Sequence, residues 1–159
     1  MIACPGSPEA LVTRCRLTSF DKLIAEHDEL EAAAQLLLLT ANCREFDVDA
    51  VMAIRSKLAM DLADHLIKED GLVYPHLLAS SDASISNAAG TFITDFQDIA
   101  SVWSGYVDYW TPANIMADVQ GFRDMTHVVV KRLIDRIQRE NDELYPLALR
   151  AGVLKLRAA

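Results

Sequence analysis

Strand signals are almost absent from this chain. No alternating Val/Ile/Thr run is bounded by turns and no Asn-Gly pair occurs, so sandwich and barrel folds are excluded on pattern. Cysteine is equally scarce. Cys4, Cys15 and Cys43 are an odd three with no Cys-x-x-Cys spacing, which leaves no disulfide framework and no zinc-finger pattern. Reduced thiols in a cytoplasm are the simplest state. Basic residues are in the minority, 15 Lys and Arg against 23 Asp and Glu, for a net charge of −8. Phosphates and anionic membrane surfaces both need a basic face, so neither nucleic acid nor a membrane is expected as a partner. The longest apolar patch, Leu36 to Leu39 after Ala32-Ala33-Ala34-Gln35, is far short of the roughly 20 residues of a membrane span. Met1-Ile2-Ala3-Cys4-Pro5 has neither a basic start nor an apolar stretch, and a cytoplasmic location follows as the expectation. There is no glycine-rich phosphate loop and no local Ser/His/Asp or Cys/His arrangement. No nucleotide or organic cofactor is therefore indicated, and catalysis is not expected.

What the chain does have is helix. With 159 residues, 52% of them hydrophobic and 24% charged, it has material for one well-packed domain. Four stretches repeat apolar residues every three or four positions. The first runs from about Phe20 to Thr40, with Thr18 as its expected N-cap and Asp21 three residues on. The second runs from about Val48 to Leu78, with Val51, Ile54, Leu58, Leu62, His65, Glu69 and Leu72 on its inner face. The third runs from about Ile85 to Trp110 through Phe92, Phe96, Ile99, Trp103 and Tyr106. The fourth starts after Asp118 and passes through Phe122, Met125, Val129, Leu133, Arg136, Glu140 and Leu144. Short connections rich in turn formers join them, so the expected fold is all-α, an up-down-up-down four-helix bundle. Residues 1–18 read as a tail or short extra helix starting at Ser7-Pro8, 19–151 as the bundle, and 152–159 as a C-terminal tail.

The second and fourth helices echo one another. His65, Glu69, Tyr74-Pro75 and Leu78 coincide with Arg136, Glu140, Tyr145-Pro146 and Leu149 at a constant offset of 71. Four matches in register suggest two halves related by a pseudo-twofold axis. His65 and Glu69 are four apart, one turn above each other on one helix face, as are Arg136 and Glu140. Both pairs lie on the apolar stripe, where a carboxylate must be paired, protonated or metal-bound. On the first helix His27 shares the stripe of Leu23, Ile24, Leu30, Ala34 and Leu37. Three helices thus aim a His or Glu inward at similar depth, the way bundles build non-haem di-iron sites.

These residues resemble the hemerythrin-like (HHE cation-binding) family. The resemblance is carried by Glu26-His27-Asp28-Glu29-Leu30, by His65 to Glu69 leading into Val73-Tyr74-Pro75-His76-Leu77, and by Arg136 to Glu140 leading into Leu144-Tyr145-Pro146-Leu147-Ala148. It spans about residues 20 to 150. The resemblance implies a four-helix bundle holding two irons, in proteins that store or sense oxygen, handle nitric oxide and iron, or regulate by redox state. It implies His27, His65, Glu69 and Glu140 as metal ligands. The family pattern has a His where Arg136 stands and one or more His on the third helix, which here has none. Asp95, between core residues Phe92 and Phe96, is the nearest inward-capable polar residue there, and a further candidate ligand. His127 is about half a turn out of phase with Arg136, and His76 reads as a surface residue past Pro75.

A guanidinium cannot lose its proton to bind metal and repels a divalent cation. It does neutralise carboxylates: Arg136 and one protonated His balance Glu69 and Glu140 without any iron. Three functions remain open, with zero, one or two irons per chain. One is a metal-binding or sensory module with a degenerate non-haem iron site and no catalysis. Another is a metal-free interaction protein that uses the bundle as scaffold for a regulatory partner or a homodimer. The third is a di-iron protein handling oxygen or nitric oxide. The count of bound iron separates them.

Overall fold

Ser19 opens the first helix, α1 (Phe20–Asn42), its hydroxyl accepting the Lys22 N–H at 3.3 Å. This is a computed structural model that describes residues 19–45 and 47–156. The expectations for residues 1–18, including Thr18 as a cap, Ser7-Pro8, Cys4 and Cys15, lie outside the described residues, as does the end of the C-terminal tail. Cys43 is a free, exposed thiol.

Every regular element among the described residues is helical. Asp47 caps α2 (Val48–Lys68) through the Asp49 N–H at 2.8 Å. Asp82 caps α4 (Ala83–Phe96), and Thr111 caps the short α6 (Pro112–Ala117). Asp118 caps α7 (Val119–Arg139), as expected, and accepts from the Gly121 N–H at 2.8 Å. A Cβ on Gly121 would meet the Asp118 carboxylate at 2.2 Å, so a larger residue there would push the capping side chain aside.

The two echoing helices share a backbone irregularity. After α2 comes a π turn, Glu69–Val73, leading into α3 (Tyr74–Leu78); after α7 comes another, Glu140–Leu144, leading into α8 (Tyr145–Arg150). Proline is the cause. It has no N–H, and its ring clashes with the carbonyl four residues back unless the helix widens. The Tyr74 N–H reaches back five residues to the Glu69 carbonyl, and the Tyr145 N–H does the same to Glu140. The extra residue moves the buried stripe. It runs through Glu69, Val73 and Leu77 in one half and Glu140, Leu144 and Ala148 in the other. Leu72, expected inside, is only half-buried, and Leu78 is 46% exposed.

Two other expectations are corrected. Arg55, not Ile54, is the buried residue on its turn of α2; its Nη1 donates to the Trp110 carbonyl and its guanidinium lies over the Tyr106 ring. The third periodic stretch is not one helix. It breaks at Gln97 and Asp98 between α4 and α5 (Ile99–Tyr109), where Asp98 reaches across to Arg132 of α7 with two bonds of 2.7 and 2.8 Å.

Helix α1 packs against both α2 and α7. The contacts fix their directions. Near the end of α1 the Ala41 carbonyl accepts from Arg123, while near its start His27 meets Asn141, just past the end of α7. Helix α5 runs opposite to α7, since Asp98 meets Arg132 and Tyr106 meets Thr126. Leu154 is buried and the Lys155 carbonyl accepts the Phe20 N–H, so the chain past α8 returns to the start of α1. No helix among the described residues is long and apolar enough to cross a membrane.

Two apolar clusters fill the interior. One gathers Leu30, Leu58, Leu62, Trp103, Tyr106, Trp110, Phe122 and Leu133. The other gathers Leu23, Val73, Leu77, Phe92, Leu144 and Tyr145. On each long helix the residues between these two sets are polar: His27, His65 and Glu69, Arg136 and Glu140. A polar layer thus separates two apolar ones.

Candidate metal centre

Helical spacing puts these five side chains in one layer. The structure brings His27, His65, Glu69 and Glu140 together, one ligand atom from each lying within 4.8 Å of the others, all buried. His27 Nε2 stands 3.3 Å from Glu140 Oε2 and 4.0 Å from Glu69 Oε1. His65 Nε2 stands 3.4 Å from Glu69 Oε1. Both rings are held by their other nitrogen. His27 Nδ1 donates to Asn141 Oδ1 at 2.6 Å, and His65 Nδ1 donates to Glu26 Oε2 at 3.1 Å. Glu26 is itself paired with Lys68 at 2.5 Å. Each Nε2 therefore faces the carboxylates, the orientation that outer hydrogen bonds impose on metal-binding histidines.

Arg136 occupies the opposite side of the same carboxylates. Its Nε donates to Glu140 Oε1 at 2.7 Å and its Nη2 to Glu69 Oε2 at 3.0 Å. Tyr74 donates to Glu140 Oε1 as well, at 3.0 Å. Tyr145, whose ring stacks on His27, donates to Glu69 Oε1 at 2.7 Å; its hydroxyl is 3.1 Å from His27 Nε2 and 3.5 Å from His65 Nε2. On its outer side Arg136 borders a cavity of about 130 Å³ that Leu66, Tyr74, Phe92, Phe96 and Ile99 also line.

The electrostatics follow from this wiring. Burial alone would push the Glu69 carboxyl up, but His65, Arg136 and Tyr145 outweigh it and hold it well below the usual range. Burial would likewise lower His65, yet Glu69 and Glu26 raise it. Burial, followed by the nearby carboxylates, drives both phenols upward. Two carboxylates against one guanidinium leave a deficit of one positive charge in a dry layer. A bare imidazole nitrogen facing a carboxylate oxygen is repelled by it. A proton or a metal ion between them reverses the sign.

The four residues form a donor set that could hold a metal ion. With metal–ligand bonds of about 2.0–2.2 Å, two donors of one shell sit roughly 3.0–4.4 Å apart; the pairs at 3.3, 3.4 and 4.0 Å lie in that range, and the 4.8 Å spread of the whole set would close by a few tenths of an ångström around an ion. A second donor group is not found among the described residues. The outer carboxylate oxygens already bond Arg136, and Asp95 is not brought to the layer. Asp95 is exposed and pairs with Arg139 at 2.9 Å. His76 is exposed, and so is His127, which bonds Asn42 at 3.1 Å. Sequence reasoning missed Glu26, Asn141, Tyr74 and Tyr145 as parts of the site. Glu26 and Asn141 stand next to His27 and Glu140 in the chain, and the two tyrosines open the repeated Tyr-Pro element.

A family model described as the hemerythrin HHE cation binding domain matches residues 18–148. Neither the curated proteins nor the solved structures contain a significant match.

Proposed function

The chain belongs to the hemerythrin HHE cation-binding family, and from that premise we propose that it is a non-catalytic, one-metal regulatory module. Its helices make an up-down-up-down four-helix bundle over residues 19–151. His27, His65, Glu69 and Glu140 hold one ion, and Arg136 supplies the charge that a second ion would bring. Imidazole with carboxylate suits iron, which when bound supplies a redox-active Lewis acid. The chain's own residues do the rest: Glu26 and Asn141 aim the imidazoles, and Arg136 and Tyr74 hold the far carboxylate oxygens. The observation that carries this reading is the two-sided use of the carboxylates, with one oxygen of each on the guanidinium and the other facing the histidines. Occupancy of the site is read by a regulatory partner or a second copy of the chain in the cytoplasm.

A second reading is favoured by the same bonds: with Tyr145 and Arg136 in place the layer is hydrogen-bonded without metal, as a metal-free interaction protein would need. The di-iron reading is the weakest, because the outer carboxylate oxygens are taken. Metal-free protein titrated anaerobically with Fe2+, Co2+ or Zn2+ separates the three. One ion per chain, lost in Glu69→Gln, supports the proposal. None favours the metal-free scaffold, and two overturn the role given to Arg136.

A further inference from the structure

Tyr145 and Tyr74 occupy equivalent places in the two halves, each heading a helix after its π turn, yet their hydroxyls meet different oxygens. Tyr74 bonds Glu140 Oε1, the oxygen that also takes Arg136 Nε. It is thereby on the guanidinium side. Tyr145 bonds Glu69 Oε1, the oxygen that faces His65 Nε2, and lies within 3.1 Å of His27 Nε2 and 3.5 Å of His65 Nε2. These are the separations of neighbouring donors in one coordination shell, about 3.0–4.4 Å, with the shortest tightened by a hydrogen bond. Tyr145 is fully buried, and its ring is fixed by stacking on His27 at 5.0 Å between centroids and 8° between planes. Its oxygen has no freedom to turn away from the site.

Resting on the one-ion reading above, we propose that Tyr145 Oη is a fifth donor, bound as phenolate. When the cation arrives, Tyr145 loses its O–H bond, the proton leaves to solvent and the Oη lone pair forms the bond to the metal; no electron changes hands. A bound cation makes this possible in a site that otherwise keeps the phenol protonated, since the ion is the largest local charge and inverts the protonation preference of its ligands. Phenolate is a hard oxygen donor. Together with two carboxylates it makes three oxygens to two nitrogens, a set that favours a ferric ion over softer divalent metals. Tyr74, tied to the oxygen that Arg136 holds, stays a phenol.

The test uses the full chain, metal-free, as wild type, Tyr145→Phe and Tyr74→Phe. Titrated with ferric citrate, wild type and Tyr74→Phe should develop a visible phenolate-to-ferric charge-transfer band, and Tyr145→Phe should not. Titrated with Zn2+ in a weakly buffered pH indicator, Tyr145→Phe should release one proton fewer than wild type and bind at least tenfold more weakly. Resonance Raman spectra of the ferric wild type should show phenolate ring modes, a readout that stands even if a variant fails to fold. A colourless ferric wild type, or a band kept in Tyr145→Phe, overturns the fifth donor while leaving the four-residue site standing. Tighter Zn2+ binding by Tyr145→Phe also overturns it and makes the hydroxyl a plug. No ion bound by any of the three proteins overturns the metal site itself.

Discussion

The two halves of the molecule share a helix, a π turn and a Glu followed five residues later by Tyr-Pro, and differ where it matters most. The first half carries His65 one turn before Glu69; the second carries Arg136 one turn before Glu140. Both side chains are buried and both reach Glu69, while Arg136 also bonds Glu140. One offers a lone pair, the other a permanent charge. The same backbone thus places an imidazole on one side of the layer and a fixed counter-ion on the other. Burial and spacing alone do not define a metal site; the protonation chemistry of a single residue decides which cation the position accepts.

Five tests press on that difference. The largest effect is expected from Arg136→Ala in the metal-free protein. It leaves two buried carboxylates with no permanent counter-charge and should cost about 3–5 kcal/mol in urea denaturation. A loss under about 0.5 kcal/mol would mean that the guanidinium contributes nothing net to the layer. Making the halves alike is the second. Arg136→His with Phe96→His, Phe96 being the half-buried ring that borders the cavity beside Arg136, should raise saturation from one ion to two by metal analysis. Arg136→His with Asp95→His should stay at one, because Asp95 points to solvent and Arg139.

The third concerns the outer bonds, Glu26 to His65 and Asn141 to His27. Glu26→Gln and Asn141→Ala should each weaken Zn2+ binding about 10–100-fold in competition with a chelator. Equal losses would say that the halves are equally aligned. Titration sharpens the contrast further. His65 is raised above its ordinary value of 6.5 by Glu69 and Glu26 in spite of burial, whereas Arg136 keeps its charge throughout. A raised folded-state pKa gives stability that is full below about 6.5 and is lost as pH climbs through the raised value. Metal-free wild type should therefore lose stability from neutral to mildly alkaline pH, and His65→Gln should flatten that slope. A slope unchanged by His65→Gln would place the titration elsewhere. The smallest effect is at Gly71, whose counterpart in the other π turn is Asp142. No heavy atom lies within 4 Å of a Cβ added there, and the backbone is not left-handed. Gly71→Ala should stabilise by about 0.4–1 kcal/mol in thermal or urea melts. A loss instead would mean that the first π turn needs glycine's freedom.

Much of this layer is legible in the sequence because helical periodicity is a strong signal. His27, His65, Glu69, Arg136 and Glu140 fall on apolar stripes, and the offset of 71 ties the halves together. The π turns are not visible to a 3.6-residue period. An unchanged helix would bury Leu72, and the added residue hands that place to Val73. The break at Gln97 and Asp98 carries no Gly or Pro to announce it; it comes with a long-range pairing to Arg132. Arg55 sits inside because the Trp110 carbonyl across the interface takes its guanidinium, and no local pattern encodes that. Asp95 looked inward by its neighbours Phe92 and Phe96, but Arg139 draws it to the surface and lies 4.8 Å over the Phe92 ring. Which hydroxyl would touch which carboxylate oxygen is three-dimensional information throughout.

The guanidinium of Arg136 arrives with the polypeptide. A bundle neutralised by two metal ions owes its folding free energy to the free concentration of both, through mass action, and unfolds when they are scarce. Here one of the two counter-charges is covalent and needs no supply. With the single ion proposed above on the histidine side, metal starvation would empty that side while Arg136 still grips Glu69 and Glu140. On that proposal, scarcity changes how the domain is loaded rather than how much of it survives, and a folded empty form would persist long enough to be told apart from a filled one.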